Sequence, residues 1–296
     1  MAEALGLQKE QLFVQGHRAC AGCGAAIALH LITDALGKDC IIVNATGCME
    51  IVSSPFPQSS WAVPYIHVAF ENTPAVASGI VHALHAKGNE HTKVVVIAGD
   101  GATYDIGFGA LSGMLERNED VLYICYDNEA YMNTGIQRSS ATPFGASTTT
   151  STVGKAIRGK QELKKPIVEI CAAHKIPYAA STSIAFPFDV YNKIQKALSF
   201  KGSKFLVIHA PCVPGWGYDT SKTIQMAKMA VESGVWKMVE YEQGKWKITQ
   251  KPKFTPVKDY LKAQKRFKHL TDPEFAIIER EIKEEYGQLE KMEKCL

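Results

Sequence analysis

The stretch KVVVIAGDGATYDIGFGALSGMLERNEDVLYICYDNEAYMN, residues 93–133, decides how this chain folds. Val94, Val95, Val96 and Ile97 form a β-branched run of the kind buried on both faces of a parallel sheet, and Gly99-Asp100-Gly101 ends it. Ile106, Ala110, Leu111, Met114 and Leu115 then recur at helical spacing, and Val121, Leu122, Tyr123, Ile124 and Cys125 make a second buried strand. The segment reads as one βαβ unit. A right-handed crossover puts the carboxyl ends of both strands on one edge, so Asp100 and the pair Asp127-Asn128 are expected to meet there. Hard oxygen ligands facing one crevice suit Mg²⁺, which fills the rest of its shell with water and phosphate oxygens. Gly99 and Gly101 let the backbone approach such a phosphate, and the following helix N-terminus offers free N–H groups. Taken alone, a Gly-Asp-Gly triplet is just as compatible with a plain strand-ending turn.

Outward from this unit, 296 residues suffice for one large α/β domain or two small ones with a substantial core. A net charge of +3 with 21% charged residues gives no footprint of nucleic-acid binding. No apolar run is long enough to span a bilayer, and the opening MAEALGLQKEQ lacks a basic region followed by an apolar core. A cytoplasmic protein with neither nucleic-acid nor membrane partners is expected. Eight cysteines are many for such a compartment, which raises metal or redox chemistry.

In chain order, an arm at 1–18 carries one apolar cluster, Leu12, Phe13 and Val14. Cys20-Ala21-Gly22-Cys23-Gly24 follows on a glycine-rich turn that opens the helix AAIALHLITDALG, and Ile41-Ile42-Val43 is a strand delivering Thr46-Gly47-Cys48. Residues 139–159 are rich in Ser and Thr and carry Lys155 and Arg158, with Lys160 beyond. They read either as a solvated surface or as a contact for a second subunit or an anionic acceptor such as coenzyme A. IVEICAAHKIPYAAST predicts a helix and a strand, residues 188–198 a helix, and 205–209 the strand that leads to Cys212; His209 reads as a satisfied strand residue. Beyond Trp216 come a helix over 220–233, a hairpin centred on Gln243-Gly244, an extended 252–256, and a charged helix over 273–294 with Phe275, Ile278, Ile282 and Tyr286 in one stripe. The chain thus divides into an arm (1–18), a main domain (19–220) and a C-terminal extension (221–296) with a hairpin and a helix as its appendage.

The cysteines fall into two sets. Cys40, Cys125 and Cys171 lie in apolar segments and read as buried small hydrophobes, and Cys295 as incidental. Cys20, Cys23, Cys48 and Cys212 sit in Gly- or Pro-containing loops, ACAGCG, ATGCME and APCVPGWG. Four such thiolates suit zinc, an iron–sulfur cluster or, in part, a redox pair, and spacing alone does not choose.

Gly99-Asp100-Gly101 followed at distance by Asn128 resembles the pyrophosphate signature of thiamine diphosphate enzymes. The ordered set CAGCG, TGC, GDGATYDIGFGAL, DNEAYMNTGIQ and APC is similar to the thiamine diphosphate-binding (beta) subunit of the 2-oxoacid:ferredoxin oxidoreductases. Within that family it most resembles the pyruvate:ferredoxin oxidoreductase or pyruvate synthase type, over residues 15–220. The resemblance implies an α/β fold with a mostly parallel sheet flanked by helices, of the pyrophosphate-binding type. It implies that Cys20, Cys23, Cys48 and Cys212 ligate one [4Fe–4S] cluster beside the cofactor, and that Asp100, Asn128 and the Ala130 carbonyl hold Mg²⁺. Gly99, Gly101 and Ala102 would surround the pyrophosphate, and Tyr131, Met132 and Asn133 would line the approach to the thiazolium ring, with Asn133 the candidate catalytic contact. Ala25 stands where single-chain relatives carry Glu, and Asn128 where some carry Thr. The resemblance also implies oxidation of pyruvate with coenzyme A to acetyl-CoA and CO₂, electrons leaving through the cluster to ferredoxin. 2-Oxoisovalerate, 2-oxoglutarate, indolepyruvate and oxalate remain open as substrates. A non-redox decarboxylase subunit with structural zinc and a non-catalytic electron-transfer or scaffold subunit remain open as functions. The glutamate that activates the cofactor belongs to a second domain in such enzymes. Glu71 here reads as a helix-start residue, so an alpha-type partner subunit is expected to supply it, accompanied by gamma and ferredoxin-like delta subunits.

Overall fold

The computed structural model describes residues 10–294. The expected βαβ unit is present: β3 is Lys93–Gly99, α4 Phe108–Glu116 and β4 Val121–Asp127. Before them come α1 (Gly24–Leu36), β1 (Cys40–Ala45), α2 (Cys48–Ser53), β2 (Tyr65–Val68) and α3 (Thr73–Ala86). After them come α5 (Ile167–Ala173), β5 (Tyr178–Ser183), α6 (Pro187–Leu198), β6 (Lys204–His209), α7 (Val213–Trp216) and α8 (Thr223–Glu232). The chain closes with β7 (Met238–Glu242), β8 (Lys245–Gln250), α9 (Val257–Lys262) and α10 (Asp272–Lys294). The strands form one sheet in the order β2-β1-β3-β4-β6-β5-β7-β8, parallel through β5 and antiparallel at the last two.

Both faces are covered, and strand alternation assigns each residue its partner layer. Val94 and Val96 pack with Val81 of α3 and Leu111, Met114 and Leu115 of α4, whereas Val95 and Ile97 pack with Leu29 and Ile32 of α1 and Val190 and Ile194 of α6. A run apolar on both sides is what a central parallel strand requires. Leu12 and Phe13 of the arm are buried against Trp61, with which Phe13 forms a bridge. Residues 1–9 of the arm and Cys295 lie outside the described residues.

The expected hairpin turns at Gln243 (φ 47°) and Gly244 (φ 95°), the left-handed pair of a two-residue turn. It is built into the domain: Tyr178 pairs with Glu242, so β7 and β8 lengthen the central sheet. Met226, Trp236, Phe267, Phe275, Ile282 and Tyr286 share the α3–α4 side of the core, with Ile278 packed against it, so the stripe on α10 docks on its own chain.

Because β1 leads outward to β2 while β3 leads inward to β4, the carboxyl ends of β1 and β3 border the point where strand order reverses. In open α/β sheets that crevice is where ligands are bound.

Candidate active site

The crevice is lined by Thr46, Gly47 and Cys48 after β1, by Gly99, Asp100, Gly101 and Ala102 after β3, and by residues 130–134 and Asn128 after β4. Tyr126, buried near the end of β4, closes its floor: a Cβ on Gly47 would lie 2.9 Å from its hydroxyl and one on Gly99 3.3 Å from its ring, so the backbone beyond β1 and at the end of β3 runs close to Tyr126. Gly101–Ile106 is a π-helical turn rather than the start of a regular helix, a feature that recurs at functional sites.

Three oxygens meet at the crevice. Asp100 Oδ1 accepts the Asn128 backbone N–H at 3.4 Å, and Ser139 Oγ donates to Asp100 Oδ2 at 2.5 Å. The Asn128 carboxamide oxygen faces two acceptors, the Ala130 carbonyl and Asp100 Oδ1, each at 2.9 Å; a turned amide would donate to both. Neighbouring ligands of an octahedral ion with 2.0–2.1 Å bonds lie about 2.9 Å apart, so the set fits Mg²⁺. The charge balance fits too. Asp100 is fully buried, and burial together with neighbouring Asp127 pushes its carboxyl well above the usual range, while Ser139 and Lys164 oppose the shift. A divalent cation reverses that preference and keeps the carboxylate ionised.

The loop that presents Asn128 and Ala130 is tied by five residues. Trp216 Nε1 donates to the Asn128 carbonyl at 2.9 Å, Thr142 Oγ1 to the Glu129 carbonyl at 2.7 Å, and the Glu129 N–H to Asp127 Oδ1 at 3.0 Å. Glu129 itself is left-handed, φ 69°. Its buried carboxylate pairs with Arg266 at 2.5 Å and Lys164 at 3.2 Å; Lys164 also meets Asp127 at 2.7 Å. Burial would raise the Glu129 carboxyl, but Lys164 and Arg266 hold it down to about 2.

The four loop cysteines come from three segments joined by backbone contacts. Cys23 precedes α1, Cys48 opens α2 and Cys212 precedes α7, so three of them stand at helix starts rather than in open loops. Gly24 N–H donates to the Pro211 carbonyl at 3.2 Å, which holds the CAGCG turn on the Cys212 loop, and Thr223 Oγ1 at the start of α8 donates to the Gly22 carbonyl at 2.6 Å. Gly22 (φ 71°) has no room for a Cβ against Thr220. Cys20 is exposed and the other three are partly buried. Burial, then Cys212, Cys23, Asp100 and Cys20, pushes the Cys48 thiol up to about 12, and burial, then Cys23 and Cys20, does the same at Cys212. Thiols that disfavour one another's ionisation are suited to a cationic group shared between them. Among the described residues no three His, Cys, Asp or Glu side chains are arranged to hold a single metal ion. Met132 joins the two halves, for a Cβ on Gly215 would collide with its thioether and lie 3.3 Å from Cys212 Sγ. Cys40, Cys125 and Cys171 are buried in the core, as expected.

Several functional neighbours escaped sequence reasoning. The Ser/Thr-rich segment is not simply a solvated surface: Ser139, Ala141, Thr142 and Ala146 are buried and Ser139 reaches Asp100. Lys160 is buried on the Thr142 and Leu163 carbonyls and Arg158 pairs with Glu274 at 2.6 Å, which leaves Lys155 as the exposed cation of the three. His209 is not a satisfied strand residue. It is fully buried beside Trp236 (ring centroids 4.5 Å apart) with no hydrogen-bond partner on either ring nitrogen among the described residues, and burial lowers it to about 3. Nothing in the sequence signals Arg266, which lies more than a hundred residues from Glu129.

The sequence of residues 45–210 matches the family described as thiamine pyrophosphate enzyme, C-terminal TPP binding domain. A pyruvate synthase subunit PorB from Methanocaldococcus jannaschii is 52% identical over 284 residues, covering 93% of this chain and 95% of that one. The chain belongs to the thiamine diphosphate-binding subunits of the 2-oxoacid:ferredoxin oxidoreductases. Other members of this subunit family are similar along nearly all of their length, including a ketoisovalerate oxidoreductase subunit VorB from Pyrococcus abyssi, 45% identical and covering 97% of this chain and 95% of that one. The fold is shared with a solved structure of 2-oxoglutarate:ferredoxin oxidoreductase from Magnetococcus marinus (TM-score 0.57, 20% identity, 72% of this chain and 77% of that chain). Among the described residues no helix is long and apolar enough to cross a membrane.

Proposed function

We propose that this chain is the catalytic subunit that oxidatively decarboxylates pyruvate, reversibly, with coenzyme A as acyl acceptor and ferredoxin as electron acceptor. The observation that carries the reading is the shared crevice: Cys48 and Asp100 follow neighbouring parallel strands and line one cavity. In this reading Asp100, Asn128 and the Ala130 carbonyl hold Mg²⁺, and Gly99, Gly101 and Ala102 receive the pyrophosphate. Bound thiamine diphosphate supplies the electron sink for loss of CO₂. Tyr131 and Met132 shape the approach, Asn133 orients the oxoacid, and buried Ser139 holds Asp100 in place. Cys20, Cys23, Cys48 and Cys212 would hold one [4Fe–4S] cluster, which would supply one-electron transfer towards ferredoxin. An alpha-type subunit supplies the activating glutamate, and gamma and ferredoxin-like delta subunits complete the assembly, so the isolated chain is inactive. 2-Oxoisovalerate is the alternative substrate, favoured by the similarity to a ketoisovalerate oxidoreductase subunit.

The test is iron, sulfide and zinc analysis with electron paramagnetic resonance on the anaerobic complex, adding oxoacids one by one. Iron and sulfide fitting one cubane on this chain, with a signal elicited by pyruvate, bears the proposal out. A signal elicited by 2-oxoisovalerate alone reassigns the substrate, and zinc without sulfide removes the redox role.

A further inference from the structure

The geometry points to Glu129 as the positioning residue of the cation centre, locked by Arg266 from the far end of the chain so that Asn128 and Ala130 aim their oxygens at the point Asp100 faces. The inference rests on the proposed cation site and adds what holds it. Neither Glu129 nor Arg266 is among the oxygens facing the crevice, yet both are at least nine-tenths buried. Sandwiched between two ligand residues, Glu129 has a left-handed backbone that a non-glycine residue adopts only when its surroundings impose it. This reversal lets the Asn128 side chain and the Ala130 carbonyl, two residues apart, converge within 2.9 Å.

Buried polar partners impose it. The Arg266 guanidinium meets the Glu129 carboxylate at 2.5 Å, and Gln264 Oε1 holds Arg266 Nε at 2.8 Å. The same guanidinium stacks 3.9 Å from the centroid of Trp216, whose indole N–H donates to the Asn128 carbonyl at 2.9 Å. Arg266 therefore grips both the side chain of Glu129 and, through Trp216, the carbonyl of the preceding ligand. Lys164, 4.6 Å from the Trp236 ring centroid, closes the other side of the carboxylate. A buried carboxylate with two cations is destabilised when either is removed. Its role here is directional, because releasing it frees the residue that sets the angle between two ligands. Trp216 also lies four residues after Cys212, so the clamp ties the cation loop to the cysteine loop.

The experiment uses the intact complex stripped of divalent ions and titrated with Mg²⁺ in the presence of thiamine diphosphate. It reads the Mg²⁺ concentration for half-maximal cofactor retention on gel filtration, with thermal unfolding in parallel. Glu129→Gln and Arg266→Gln are each expected to raise that concentration about tenfold or more, and the double variant to be no worse than either single, because both break one clamp. Unchanged Mg²⁺ dependence in folded single variants, or fully additive effects, overturns the inference. Should those variants unfold, Arg266→Lys carries the test, keeping the charge without the fork: an increase of about threefold at unchanged melting temperature supports the clamp, and no increase overturns it. Failure of the unaltered complex to retain thiamine diphosphate in a Mg²⁺-dependent way would instead remove the cation site itself.

Discussion

The two halves of the crevice are built on opposite principles. On the Asp100 side, ligands and their supports are side chains in a charge-paired lattice: buried Asp100, Asp127 and Glu129 against buried Arg266 and partly buried Lys164, fastened by Ser139, Thr142 and Trp216. On the cysteine side, the thiols ride at helix starts or in a tight turn and are fixed by backbone contacts, such as Gly24 on Pro211, with one thiol exposed. Buried ionic lattices hold geometry but fail badly when one charge is lost, whereas backbone-held thiols tolerate loss of one side chain without collapse. The cation half is thus held by charge pairing, and the cysteine half by contacts of its backbone.

Six substitutions, in five tests, probe this contrast, beginning with the largest effect. Asp100→Asn should abolish Mg²⁺-dependent cofactor retention and lower decarboxylation by about 10³-fold, some 4 kcal/mol, in steady-state assays. Cys48→Ala should lower ferredoxin reduction by at least about 10²-fold and reduce iron per chain while leaving the melting temperature near that of the parent; normal turnover would sever the thiols from electron transfer. Lys164→Met should cost about 3–5 kcal/mol of stability in denaturant melts, because buried Asp127 and Glu129 lose a counter-charge. A cost near that of an exposed pair would show that the lattice is not what holds the cation half.

The fourth change concerns pH. His209 has a folded pKa near 3, depressed from 6.5 by burial. Between those values the unfolded chain binds the extra proton, so stability rises with pH: the penalty is absent above about 6.5 and grows as pH falls towards 3, at about 1.4 kcal/mol per unit. Acid unfolding followed by near-ultraviolet circular dichroism should therefore be shallower in His209→Leu than in the parent, and an identical profile would locate the acid sensitivity elsewhere. The smallest effect is expected at the core cysteines. Cys125→Ala and Cys171→Ala should each cost about 1 kcal/mol and leave iron content unchanged; lost iron would merge the two cysteine sets.

Much of this was legible from residue pattern. The β-branched run at 94–97, the glycines at 99 and 101 and the second run at 121–125 gave strand, turn and strand at the right places, and crossover handedness brought Asp100 to Asn128. The setting of Cys20, Cys23, Cys48 and Cys212 in glycine and proline segments separates them from the buried Cys40, Cys125 and Cys171. What stayed hidden was every partner contributed from far along the chain. Ser139 looked like one hydroxyl among many in a polar segment, and His209 like an ordinary strand residue, because burial is a property of the assembled core rather than of local composition.

Local periodicity, glycine placement and strand handedness act within a few tens of residues, so the sequence by itself determined the central βαβ unit and the crevice edge where Asp100 and Asn128 meet. Tertiary structure alone decided that the C-terminal hairpin lengthens the central sheet and that Arg266 returns to grip Glu129. Those outcomes depend on the desolvation and pairing of groups distant in sequence, whose free energy exists only once the whole chain has packed.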